Sequence, residues 1–224
     1  MISALTHRSL IRSRYSWWSG NSRFLYLSGK FLGAHLAHAS LIILWSGAIT
    51  LFEVSHSILE RPMYEQGCIL LPHIASLAFS IGPKGEVTSL YSYSVISILH
   101  VISSSIIALG GLYHTLLSSD RLEESTYGLL LHYNWQDRFR ITAILGAHLL
   151  VLGVASLILF IKAIYLSGIY DTWSSGGGDV RSIKKSDLSL NPYVLARYLA
   201  RPPFSSSGWI LSVNNIEDLV GGHY

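Results

Sequence analysis

Ten histidines among 224 residues are the side chains of this chain best suited to chemistry. Neutral imidazole is the commonest protein ligand for metals, and it titrates near physiological pH. Five of the ten fall inside long apolar stretches: His35 and His38 in the first, His100 and His114 in the second, His148 in the third. His73 lies in a shorter apolar piece, and His223 stands next to Tyr224. His7, His56 and His132 sit in flanks or loops, where solvation accounts for them without a ligand. A single histidine in a membrane commonly serves as a hydrogen bond between helices, worth about 0.6 kcal/mol. Five of them in three stretches strain that explanation. No Asp, Glu, Lys or Arg accompanies them there, so a proton relay lacks its usual partners.

Three ligand chemistries compete for these imidazoles. One shared metal ion is the first. His35 and His38 lie three apart, about 60° around a helix, and could meet one ion. A closed zinc site needs further ligands, and none lies nearby in sequence. The single cysteine, Cys68, rules out an intrachain disulfide framework and multi-cysteine metal sites, and reads as a small apolar residue. Haem is the second. His100 and His114 are 14 apart, about 21 Å of rise on nearly the same face. Each haem then needs a facing histidine, and the third stretch offers only His148. A magnesium tetrapyrrole is the third. It takes one axial ligand, so scattered single histidines suffice. Small residues precede several of them: Gly33 and Ala34, Gly110 and Gly111, Gly146 and Ala147. They would let a flat ring approach the backbone, or equally let two helices pack closely.

The elements that must position these residues follow from composition. Half the residues are hydrophobic and 13% are charged, against about 25% charged in soluble domains. That excludes an ordinary soluble globule and a disordered chain. A net charge of +3, spread along the chain, is no nucleic-acid footprint. A spanning helix needs about 20 mostly apolar residues. Phe31–Phe52, Tyr93–Leu117 and Ile141–Ile161 qualify, each free of charge inside. Gly67–Gly82 is too short and holds Pro72; it reads as an interfacial or re-entrant piece. Arg8, Arg12, Arg14, Arg23 and Lys30 precede the first span without an acid. By the positive-inside bias the N-terminus faces the cytoplasm-equivalent side. The Ser- and Arg-rich start has a mild transit-peptide character, and a basic anchor explains it as well. In the tail, SSGGG at Ser174–Gly178 reads as a turn and Pro192–Ala200 as a short surface helix. LGAHL occurs twice, at Leu32–Leu36 and Leu145–Leu149, and both copies begin spans entering from one side. The expected fold class is all-α integral membrane with three transmembrane helices and extramembrane loops. The echo implies a repeated helix pair whose last member lies beyond GGHY at Gly221–Tyr224.

Specific motifs then follow one another in order: WWSGN at Trp17–Asn21, YLSGK at Tyr26–Lys30, GAHLAHA at Gly33–Ala39, LFEV at Leu51–Val54 and PMYEQG at Pro62–Gly67. ILLPH at Ile69–His73, LEES at Leu122–Ser125, YDTWSSGGGDVR at Tyr170–Arg181 and NNIEDLVGGH at Asn214–His223 complete the series. From about residue 15 onward the chain resembles the N-terminal half of the chlorophyll-binding core antennas of photosystem II, the smaller, forty-three-kilodalton type. GAHLAHA is shared with iron-stress and prochlorophyte antennas; GGGDVR favours the photosystem II type over them.

The resemblance implies half of a six-helix bundle with a pseudo-threefold axis. It implies a basic stromal segment 1–30, helices 31–56, 93–117 and 141–161, a lumenal loop 57–92 with a short interfacial piece, and a stromal loop 118–140. A lumenal segment 162–224 then ends before an absent fourth helix. It implies chlorophyll a on His35, His38, His100, His114, His148 and His223 through magnesium. Asn21 follows as an amide ligand and His73 as a weaker candidate. Carotenoid (beta-carotene or another) and lipids complete the cofactors. The implied role is light harvesting without bond-making catalysis, in a chloroplast thylakoid membrane. Expected partners are the reaction centre, small membrane subunits and peripheral antenna, with a second polypeptide to supply the missing helices. No position here matches the family's ligand to the manganese cluster. A haem-binding electron-transfer subunit is the alternative of a different class.

Overall fold

The long helices extend past the charge-free runs, taking in Lys30 at the start of one and Arg138 and Arg140 at the start of another. The structure, a computed structural model, describes residues 15–82, 84–125, 134–166, 168–176, 178–204 and 208–224. The N-terminal segment with His7, and the loop with His132, lie outside the described residues. After a 3-10 segment at Trp17–Phe24, α1 runs Ser28–His56, and α2 is one short turn at Leu71–Ala75. Next, α3 runs Tyr91–Leu112 and closes on a π-helical turn at Tyr113–Leu117, and α4 spans Arg138–Tyr165. The strands β1 Ile169–Asp171 and β2 Asp179–Arg181 follow, then α5 Pro192–Leu199 and α6 Ile216–His223. Asp137 starts α4: its Oδ1 accepts from the Phe139 and Arg140 amides at 2.9 and 3.4 Å. Asn191 caps α5 and Asn215 caps α6 in the same way, each satisfying an amide that the first turn leaves without a carbonyl.

Three helices are long and apolar enough to cross a membrane, Ser28–His56, Tyr91–Leu117 and Arg138–Tyr165. The protein is thus mainly helical, as its hydropathy requires, because lipid leaves each backbone group to be satisfied within its own segment. Gly67–Gly82, which reads as an interfacial or re-entrant piece, holds the five-residue α2 followed by turns. The tail departs from an all-helical expectation in one place. β1 and β2 form an antiparallel hairpin with Tyr170 opposite Val180. Gly178 makes the return possible: its φ is +133°, and a side chain there would collide with the buried Tyr170 ring. Arg181 fastens the hairpin, its Nε to Asp171 at 2.7 Å and its Nη2 to Glu217 at 2.5 Å. Burial works against the Arg181 charge, but these two carboxylates outweigh it and raise its pKa.

Contacts divide the chain into two units, residues up to Trp45 with His100–Gly146, and Ser46–Leu99 with Ala147–Tyr224. In the first, the start of α1 is tied to the residues after α3. Ser28 Oγ donates to Glu123 at 2.6 Å and accepts from the Leu122 amide at 2.8 Å. Lys30 Nζ donates to the Thr115 carbonyl at 2.8 Å and pairs with Asp120 at 3.1 Å. In the second unit, two buried clusters form the core. Ala163, Ile169, Ile183, Leu188, Ile216 and Val220 make one. Met63, Leu71, Ala75, Tyr93 and Tyr170 make the other.

Candidate functional site

Helix geometry decides how an imidazole is presented. A ring whose Nδ1–H donates to a carbonyl one turn back has a fixed tautomer, and its Nε2 lone pair is free. His35 does this to Phe31 at 2.9 Å. His73 does it to Ile69 and His223 to Leu219, both at 2.7 Å. All three are exposed on the chain, as are Asn21, His38 and His148, while His100 and His114 are half-buried. His35 also has the Phe31 ring against it, centroids 4.3 Å apart.

His114 breaks the pattern. It sits in the π-helical turn, where Ser118 N–H donates to the Tyr113 carbonyl five residues back at 2.9 Å. Its Nδ1 is enclosed and lacks a hydrogen-bond partner among the described residues. Such π-helical turns are frequent at functional sites.

The glycines beside the histidines separate into two kinds. Gly33 and Gly111 are packing glycines: a side chain on Gly33 would strike Thr115, and one on Gly111 would come within 2.9 Å of the Ala37 amide nitrogen. Beside His148, Gly146 has nothing within 4 Å of the place a side chain would occupy. The ambiguity between ring approach and helix approach therefore resolves toward helix packing for Gly33 and Gly111 and leaves Gly146 on open surface.

A known family described as photosystem II protein matches residues 13–218 of this sequence. The chain belongs to that family. This photosystem II protein, with its three long apolar helices, is a thylakoid membrane protein.

Across the two units, the photosystem II protein carries its candidate ligands separately. Asn21, His35, His38, His100 and His114 belong to the first unit, and His73, His148 and His223 to the second. Among the described residues no three of His, Cys, Asp and Glu converge as a metal cluster. Sequence reasoning set His56 aside as a flank residue, yet its Nδ1 lies 2.8 Å from the Phe52 carbonyl, with the Phe52 ring 4.2 Å away. It resembles His35 in this, but the Ser55 hydroxyl at 2.9 Å is a second partner of the same nitrogen. The signal was present: a phenylalanine four residues before the histidine in both cases.

Glu53, in the LFEV motif, is the other residue whose use the sequence did not disclose. Its carboxylate accepts from the amides of Ile69 at 2.7 Å, Leu70 at 3.1 Å and Leu71 at 2.8 Å. These are amides at the start of α2, the turn that carries His73. Burial, and then the Glu53 charge, push the Cys68 thiol up. A raised thiol stays protonated and unreactive, in keeping with Cys68 as a small apolar residue.

Proposed function

We propose that this photosystem II protein is a light-harvesting core antenna of the smaller, forty-three-kilodalton type. It binds chlorophyll a and carotenoid and passes excitation to the reaction centre. One observation carries the reading: His35, His73 and His223 each commit Nδ1 to the preceding turn and keep Nε2 free on an exposed face. That donor set fits a five-coordinate magnesium, which asks for one neutral nitrogen and no second ligand from the protein. Isolated imidazoles on separate helices fit many single-ligand groups better than one cluster.

The chain's own part is to fix position and orientation. His35, His38, His100, His114, His148 and His223 would hold the metal, with Asn21 and His73 as further candidates. When bound, chlorophyll supplies the absorbing dipole, and energy moves between dipoles without bond changes. The helix-anchored rings restrict rotation about χ2, so each pigment would keep one orientation. Exposed apolar side chains along α4, such as Leu149, Leu152 and Ile158, supply a surface for chlorin rings, carotenoid and lipid. The same reading gives a stromal N-terminus in a chloroplast thylakoid. Its neighbours would be the reaction centre, small membrane subunits, peripheral antenna and a polypeptide bearing further helices.

Absorption and pigment extraction of the purified full chain test this. A red chlorophyll band with extractable chlorophyll a is expected, and His35→Leu should lose one chlorophyll per chain while the far-ultraviolet dichroism is kept. Sharp α-bands of a b-type haem with no extractable chlorophyll would overturn the reading, as would a preparation with no pigment.

A further inference from the structure

Within the first unit, three rings follow one another in contact. The Trp135 indole stacks on the Phe31 ring, with centroids 5.3 Å apart and planes at 24°. The Phe31 ring in turn lies 4.3 Å from the His35 imidazole, tilted by 46°. The indole is held at its edge as well as on its face, because Nε1–H donates to the Leu25 carbonyl at 3.0 Å. Trp135 precedes α4, whereas Leu25 and Phe31 belong to the entry and first turns of α1. A half-buried tryptophan in this position covers part of its apolar face and satisfies its one donor.

Two restraints from Phe31 meet on His35. The carbonyl accepts from Nδ1 at 2.9 Å, which fixes the tautomer but leaves the imidazole able to rock about that bond. The Phe31 ring against the imidazole opposes the rocking only while Phe31 keeps its own rotamer. His35 is exposed and Phe31 half-buried, so the stacked indole is what restricts Phe31 from the loop side. We infer that Trp135 is a positioning residue for the pigment on His35. Acting through Phe31, it sets the direction in which Nε2 meets magnesium. The inference rests on the antenna reading above. Direction matters in that reading because the coupling of two transition dipoles depends on their mutual angle. An anchor that steadies the ligand ring from a second element is the usual way to hold such a geometry.

The test uses the full chain in nanodiscs, pigment-free with nitrogen-labelled histidine, and loaded with chlorophyll a. His35→Leu defines the signals in question: the imidazole resonances it removes from the first sample and the chlorophyll it removes from the second. In the pigment-free chain His35 should show the Nδ1–H form alone. Trp135→Leu should mix in the Nε2–H form. Trp135→Phe keeps a ring against Phe31 but cannot donate to Leu25, and it should restore the single form. In the loaded chain Trp135→Leu should alter the circular dichroism of the His35-dependent chlorophyll. It should also speed loss of that pigment about two- to tenfold, the range expected for one aromatic pair, with the other pigments retained. Adding Trp135→Leu to His35→Leu should change nothing further, since the indole acts through that ring. A Trp135→Phe variant as impaired as Trp135→Leu would mean that the bond to Leu25 merely holds the loop, and would overturn the inference. If His35→Leu loses a chlorophyll but Trp135→Leu matches the wild type in both samples, this inference alone falls. If His35→Leu loses none, the antenna reading fails at His35 and this inference goes with it. Retention of the other pigments checks folding, and Phe31→Leu, which removes the middle ring and should reproduce the effect, carries the test if Trp135→Leu fails that check.

Discussion

A carboxylate at 7% exposure is costly unless its lone pairs are filled, and Glu53 fills its own with three backbone amides. Charge-assisted bonds of this kind contribute about 1.5–3 kcal/mol each in net terms. Glu53→Gln keeps the shape but turns an NH2 group toward donors. It should cost about 2 kcal/mol, and amide exchange at Ile69–Leu71 should quicken while that of α3 stays unchanged. Slow exchange retained at all three amides would show that another group satisfies them. Asp218 is the second buried acid whose surroundings decide its state. Burial raises its pKa, but bonds from Ser189, Tyr198 and Asn215, with the Arg197 charge, lower it overall below the ordinary 3.8. A lowered folded-state pKa means the unfolded chain binds the proton more readily. The stabilisation is therefore complete above 3.8 and is lost as pH falls through the lower folded value. Fluorescence of Trp209 and Trp173 in the tail should report loosening below pH 4, and Asp218→Asn should be weaker at neutral pH and flat across the same range. A wild-type tail indifferent to acid would contradict this.

At the scale of elements, α1 and α3 approach because small residues face one another. Gly33 meets Thr115, Gly111 meets the Ala37 backbone, and farther along Ser97 Oγ donates to the Gly47 carbonyl. No hydrophobic force drives helices together in lipid, so close van der Waals contact and such bonds supply the association. Gly111→Ala places a methyl 2.9 Å from a backbone nitrogen that cannot move alone. It should lower resistance to unfolding in detergent by about 1–3 kcal/mol. Gly146→Ala meets open space and should leave that resistance unchanged or raise it by up to about 1 kcal/mol, through helix propensity. Equal effects at the two positions would undo the distinction drawn between them. The β-hairpin belongs to the same scale. SSGGG reads correctly as a turn, but the strands on either side are three residues each, too short for an alternating pattern to emerge. Their pairing depends on Arg181 meeting Asp171 and Glu217.

Across the whole molecule the three long helices are sparsely covered: 22%, 17% and 6% of their most apolar windows are buried within the chain, from first to third. Such bareness suits a lipid or pigment environment, since water would penalise so much apolar surface. Hydropathy is a sum over neighbouring residues, so the sequence by itself determined the three spans and the helical class, and its ordered motifs determined the family. The motifs that carry the family resemblance likewise offered His35, His73 and His223, with the other candidate residues, before any coordinate was known. What only the tertiary structure decided are matters between residues far apart in the chain: Ser28 on Glu123, Glu53 under α2, Asp218 among Ser189 and Tyr198, and the packing role of Gly111. It also decided that the His114 ring stands in a π-turn with its Nδ1 unpartnered among the described residues. These outcomes depend on distances of a few ångströms between separate elements, and a one-dimensional pattern of polarity carries no information about which distant groups will come within that reach.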